Sequence, residues 1–139
     1  MSAGGQLAST LVVRGYDETR PNFKILMVPV ISMIENYKHQ GSCNQLLGKK
    51  PSKQAMHYYS NSLHVSSKTP KSFVIANNDD RVVSSLNAMN YVAALRRNNV
   101  FSEFHLFPKG GHVGLLYSTH PYKNQALGLR KKWMNTYVK

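Results

Sequence analysis

The chain has 139 residues, 42% of them hydrophobic, and a net charge of +12 from 18 basic against 6 acidic side chains. That length fits one domain with a buried core, and that apolar content is the mark of a folded chain rather than a disordered one. No apolar run reaches the roughly 18 residues of a membrane-spanning helix, and the first residues lack the basic-then-apolar pattern of a secretory signal. The single cysteine, Cys43, excludes an internal disulfide framework and a cysteine-rich metal site. The basic residues are dispersed, as at Lys49-Lys50, Arg96-Arg97 and Arg130-Lys131-Lys132, and do not interleave with aromatics as in a nucleic-acid-binding strand. A basic enzyme is therefore expected, with neither nucleic acid nor membrane as partner.

Residues 3–14 read as a helix with Leu7, Leu11 and Val12 on one face. Residues 15–22 are polar and contain Pro21, so a loop is expected. The run at 24–31 is continuously apolar, which fits a strand buried on both faces, with Pro29 at its end because proline cannot donate to a ladder. Residues 32–70 are the least regular, punctuated by Gly41, Gly48 and Pro51, with a short helix expected over 52–59. A second buried strand is expected at 72–76 and a turn at 77–80. Ser84 or Ser85 can cap a helix running to about Asn98, with Met89, Val92, Ala93 and Leu95 inward. A third strand is expected over 101–107, a glycine-rich turn over 108–112, and a last helix over 122–138 with Leu127, Leu129, Trp133 and Tyr137 on its apolar face. Strands alternating with helices predict an α/β fold, a mostly parallel sheet of about three strands flanked by helices. Such sheets collect function in the loops beyond the carboxyl ends of their strands.

Those loops hold the chemistry. Ser2 stands among small residues at a helix start, Asp79-Asp80 follows the second strand, and His112 follows the third. Alone, each has an ordinary reading: a flexible terminus, a capping turn, a solvated loop histidine. Together they stand in the order serine, acid, histidine, the order of α/β-hydrolases. A serine hydroxyl is a weak nucleophile until a base takes its proton. A histidine does this near neutral pH, and a carboxylate on its other ring nitrogen fixes the tautomer. A serine on a tight strand-to-helix turn needs nearly side-chain-free neighbours two residues away, and Gly4 meets that need on the C-terminal side. The Ala3 N–H, at the helix start, can donate to an oxyanion. The other histidines, His39, His57, His64, His105 and His120, show no metal-ligand spacing and read as surface or packing residues. Neither a metal nor another cofactor is expected, and Trp133 reads as core.

The stretch "SAGGQLAS" resembles the post-nucleophile segment of the esterase and lipase branch of α/β-hydrolases, which carries G-x-S-A-G-G-H-L-A. "VPVIS" resembles the strand that follows that helix, "HQGSCNQLLGKKPSKQAMHYYS" the stretch before the acid, and "NNDDRVVSSLNAMNYVAALRRNNVFSEFHLFPKGGH" the acid-to-histidine segment. The likeness spans nearly the whole chain and is greatest to bacterial carbohydrate esterases of acetyl-xylan and feruloyl esterase type. Carried over by position, it implies Ser2 as nucleophile, Asp80 as acid and His112 as base. Asp80 is favoured over Asp79 because it stands two residues before Val82-Val83. Gln6 replaces the usual histidine, Cys43 a common arginine and Val113 a usual glycine. The resemblance also implies a strand entering the serine turn and an H-G-G-G-type loop with a second oxyanion donor. Neither is found in this sequence, which therefore looks like the C-terminal half of an α/β-hydrolase domain, a single partial domain over 1–139.

What the resemblance implies is a serine ester hydrolase working through an acyl-enzyme on acetyl or feruloyl esters of plant carbohydrate such as xylan. Its partner would be a small-molecule or polysaccharide ester. A prolyl-oligopeptidase-type serine peptidase shares the same pattern. A truncated, inactive remnant or a basic binding module is the reading of a different class. The family allows a periplasmic or secreted parent, and compartment and oligomeric state stay open.

Overall fold

The apolar run near residue 74 forms the middle strand of the molecule. The computed structural model describes residues 1–15, 17–114, 117 and 119–138; residue 16, within the expected 15–22 loop, lies outside them. Strands β1 (Phe23–Met27), β2 (Lys71–Asn77) and β3 (Ser102–Phe107) make a parallel sheet in the order β1-β2-β3. Val74 of β2 pairs with Leu26 of β1 and Phe104 of β3. All but the first residue of β2 are buried, as a strand covered on both faces must be.

Successive side chains of a strand point to opposite faces. Val74 and Ala76 therefore face one core layer, with Leu26, Tyr91, Ala94 and Leu95. Phe73 and Ile75 face the other, with Phe107, Ala126 and Trp133. The first layer is closed by helices α1 (Ala3–Arg14) and α4 (Leu86–Arg97), the second by α5 (Lys123–Tyr137). Trp133, 1% exposed, sits between the Phe23 and Phe73 rings at centroid distances of 6.0 and 5.7 Å. The two short helices α2 (Gln40–Leu47) and α3 (Lys53–Tyr58) enclose a third small cluster of Val30, Met33, Cys43 and Val83.

The structure departs from the expected pattern where distant groups decide the outcome. The strand expected over 24–31 leaves the ladder after Met27, because Val28 takes a φ of +42°. Branched residues rarely adopt that conformation. Residues 30–32 stay buried, and Asn87 of α4 accepts from the Ile31 and Ser32 N–H groups at 3.0 Å each. In α1, Leu7 and Leu11 face outward, 74% and 47% exposed, and the buried face is Gly5, Gln6, Ser9 and Val12. Small residues are needed there because the helix lies against Pro29: a Cβ on Gly5 would fall 2.6 Å from the Pro29 Cβ. In α4 the inward residues are Asn87, Ala88, Tyr91, Ala94 and Leu95, while Met89 is exposed. In α5 only Ala126 and Trp133 are buried; Leu127 and Tyr137 are well over a third exposed.

The helix at 40–47 lies inside the stretch that reads as irregular in sequence. His39 caps it through Nδ1, which accepts from the Ser42 N–H at 3.1 Å, and Gly48 closes it at a φ of +84°. The Ser52 hydroxyl caps α3 by accepting from the Ala55 N–H at 3.1 Å. No helix among the described residues is long and apolar enough to cross a membrane.

Candidate active site

Ser2 joins the sheet to α1. Its N–H donates to the Met27 carbonyl at 3.2 Å. Its own carbonyl accepts from Gly5 N–H at 2.8 Å and from Val30 N–H at 3.1 Å. These bonds form a bridge beside Pro29 and hold Ser2 at φ 51°, ψ −130°. A non-glycine residue in that region is strained, and such strain persists only where surrounding contacts impose it. The conformation turns the chain from the bridge beside Pro29 into α1. Ala3 is the first residue of α1, so its N–H lies at the positive end of the helix dipole. A Cβ on Gly4 would meet nothing within 4 Å; the glycine that close packing requires in this turn is Gly5.

Asp80 lies in the turn after β2, its side chain 1% exposed. Its Oδ1 accepts from the Val82 and Val83 N–H groups at 2.9 Å each. Its Oδ2 lies 2.8 Å from His112 Nδ1. An ionised carboxylate only accepts, so Nδ1 carries the hydrogen and Nε2 the lone pair. Nε2 lies 2.8 Å from the Ser2 hydroxyl, which donates to it. The structure thus brings Ser2, His112 and Asp80 into one hydrogen-bonded line at the carboxyl edge of the sheet, and Asp79 is not in it.

Asp79 instead braces the histidine loop. Its Oδ1 accepts from the Gly111 N–H at 2.8 Å. That bond, chiefly, holds its carboxyl below the usual range against an opposing desolvation, with lesser help from the Gly110 N–H and Lys109. Asn77, at the end of β2, donates through Nδ2 to the Gly111 carbonyl at 2.7 Å. Gly110 and Gly111 take φ values of +153° and +58°, which a residue with a side chain rarely adopts. The bracing roles of Asn77 and Asp79 escape a reading of the sequence. The signal was present in the Gly-Gly pair and in the polar residues that end a buried strand.

α1 is fixed from behind by a buried polar cluster. Asn61, fully buried, places the two hydrogens of Nδ2 among three acceptors, Gln6 O, Ser9 Oγ and Thr10 Oγ1, at 3.1, 2.7 and 2.9 Å. Gln6 Nε2 donates to the Tyr59 carbonyl at 2.6 Å. An apolar groove of about 460 Å³ runs between α1 and α2, past Ala3, Leu7, Met33, Ser42, Leu46 and Tyr59. It reaches Ala3 but is not lined by Ser2, Asp80 or His112. Among the described residues no cluster of histidine, cysteine and acidic groups could hold a metal ion.

A parallel sheet flanked by helices, with a serine at a strained strand-to-helix turn, an acid in the loop after β2 and a histidine in the loop after β3, is the α/β-hydrolase arrangement. The chain belongs to the prolyl oligopeptidase family, whose profile matches residues 1–139. It is 37% identical over 134 residues to an acetylxylan esterase of Xylanibacter ruminicola, an alignment covering 91% of this chain and 28% of that protein. It is 33% identical over 93 residues to endo-1,4-beta-xylanase B of Butyrivibrio fibrisolvens, covering 67% of this chain and 14% of that one. Among solved structures, an acetyl ester-xyloside bifunctional hydrolase from Caldicellulosiruptor lactoaceticus superimposes with a TM-score of 0.89 at 34% identity. That match covers 98% of this chain and 54% of the other. The chain therefore spans about half of that structure and less than a third of the acetylxylan esterase.

Proposed function

We propose that this chain carries the reaction centre of a serine ester hydrolase acting through an acyl-enzyme on ester-substituted carbohydrate, as part of a larger α/β-hydrolase domain. The observation that carries the reading is the line Ser2 Oγ, His112 Nε2, His112 Nδ1, Asp80 Oδ2, with both contacts at 2.8 Å. Ser2 Oγ attacks the ester carbonyl as His112 Nε2 takes its proton. The resulting oxyanion accepts from the Ala3 N–H, where the α1 dipole also favours negative charge. Asp80 stabilises the imidazolium and holds its orientation. His112 then gives the proton to the departing alkoxide, leaving the acyl group on Ser2. Water, deprotonated by His112, attacks that ester, and the proton returns to Ser2 as the acid leaves.

The acetyl group is favoured by the acetyl-ester hydrolases among the similar proteins. The feruloyl alternative has support only from the apolar groove beside Ala3, which is larger than an acetyl group needs. A peptidase reading rests on the family's name and on the shared serine, acid, histidine order. The discriminating assay compares p-nitrophenyl acetate and acetylated xylan with a prolyl peptide p-nitroanilide. The expected result is turnover of the esters only, falling at least ~10⁴-fold in Ser2→Ala. Ester turnover that survives Ser2→Ala overturns the proposal, and turnover of the peptide alone replaces it with the peptidase.

A further inference from the structure

Below the loop that carries His112 lies a second histidine that the proposed reaction does not use. His120 is 7% exposed. Its Nδ1 accepts from the Tyr122 N–H at 3.0 Å, so in the neutral ring Nε2 bears the hydrogen. That Nε2 is buried without a hydrogen-bond partner among the described residues. Buried donors are rarely left so, and each one calls for a physical reason.

The surroundings supply one. A Cβ on Gly110 would fall 2.0 Å from His120 Nε2, and a Cβ on Gly114 would fall 2.5 Å from His120 Cδ2. The imidazole therefore fills the space under both glycines that flank His112. The Asn77 amide also presses on Gly110, its Cγ 2.7 Å from the same Cβ position, and its Oδ1 too is buried without a partner among the described residues. An unpaired donor and an unpaired acceptor thus border one glycine. We infer that His120 is a positioning residue for His112: a wedge that, with Asn77, seats the Gly110–Gly114 turn and keeps the His112 ring spanning Asp80 and Ser2. Burial lowers the His120 pKa, against the opposing pull of the Asp79 carboxylate. A neutral wedge places no positive charge beside the imidazolium that His112 must become.

The inference rests on the ester-hydrolase reading for its consequence in turnover, but not for its geometry. The test is therefore double. The downfield proton resonance of the His112 Nδ1–H bonded to Asp80 is recorded in the 139-residue chain and in His120→Ala, His120→Gln and His120→Leu, beside p-nitrophenyl acetate kinetics. A displaced ring costs up to ~10²-fold in rate. In His120→Ala the resonance should broaden into exchange and kcat fall ~10–100-fold with KM within about twofold. His120→Gln, which fills the space and offers an amide oxygen to the Tyr122 N–H, should restore both, and His120→Leu, which leaves that N–H without its acceptor, should not. If His120→Ala fails to fold, the contrast of Gln with Leu decides alone. An unchanged resonance and kcat in folded His120→Ala, or Gln and Leu variants that behave alike, overturn the inference. A wild-type chain that shows the resonance but hydrolyses no ester removes the hydrolase reading and leaves the seating of His112 to be judged by the resonance.

Discussion

The two ends of the sheet treat charge in opposite ways. At the carboxyl edge the buried Asp80 carboxylate has a partner on each oxygen: two backbone N–H groups on Oδ1 and His112 on Oδ2. Near the amino end, Lys24 of β1 is 5% exposed, donates to the Pro70 carbonyl at 3.2 Å and lies 5.2 Å over the Tyr91 ring. No carboxylate pairs with it among the described residues, and burial lowers its pKa to about 7. A buried charge without an opposite charge is expensive and tends to neutralise. The first arrangement spends strain and buried polarity to hold a geometry. The second is tolerated by the core at a cost in stability.

Within the carboxyl edge, the acid and the serine are held differently. Asp80 is fixed through its side chain; Ser2 is fixed through its backbone, and its hydroxyl bonds only to His112 among the described residues. Removing each should separate the two. Asp80→Ala is expected to lower ester turnover ~10⁴-fold and to destabilise the fold by about 2–4 kcal/mol, since it strands two backbone donors. Ser2→Ala should lose as much turnover with stability within ~1 kcal/mol of wild type. Turnover assays and urea unfolding measure both, and equal destabilisation by the two variants would break the distinction.

Gly5→Ala gives the next largest effect. The added methyl meets Pro29 at 2.6 Å, so α1 must shift from the strand edge and carry Ser2 with it. Overpacking of this kind costs roughly 1–3 kcal/mol. A matching Gly4→Ala, which meets nothing within 4 Å, should be nearly silent in thermal unfolding.

The amino end is read through pH and leaves turnover untouched. The folded pKa of Lys24 lies below its unfolded value, near 7 against 10.5. The unfolded chain therefore binds more protons across that interval, and stability rises with pH through it. Below about pH 7 the burial cost is fully present; above about 10.5 it is gone. Lys24→Met should be more stable than wild type at neutral pH. The difference should shrink by on the order of 1 kcal/mol per pH unit as pH rises through the interval. A difference independent of pH would show that Lys24 stays charged in the fold.

Local pattern carries much of this architecture. Continuous apolarity marks β2, and the alternation of strands and helices marks a parallel α/β sheet. The residues singled out for chemistry follow from chain order and from family likeness. What local pattern could not carry is set by residues far apart in sequence. The face α1 buries is chosen by Pro29 and Asn61, so Gly5 and Ser9 are inside and Leu7 is out. β1 stops early at Val28, and beyond it Asn87 takes over the Ile31 and Ser32 N–H groups, a partnership no window around 24–31 contains. α2 begins on a histidine cap, an uncommon choice that gives no start signal. The bracing of His112 by Asn77, Asp79 and His120 depends on loops after two different strands and a turn beyond them meeting at one glycine pair.

The central claim is that His112 activates Ser2. The most direct measurement is the rate and site of fluorophosphonate labelling, read by peptide mass spectrometry on the folded chain. One adduct is expected, on the peptide that contains Ser2, forming at least ~10³-fold more slowly in His112→Gln. A folded chain that takes no label, or labelling at another serine at a rate indifferent to His112→Gln, would contradict it.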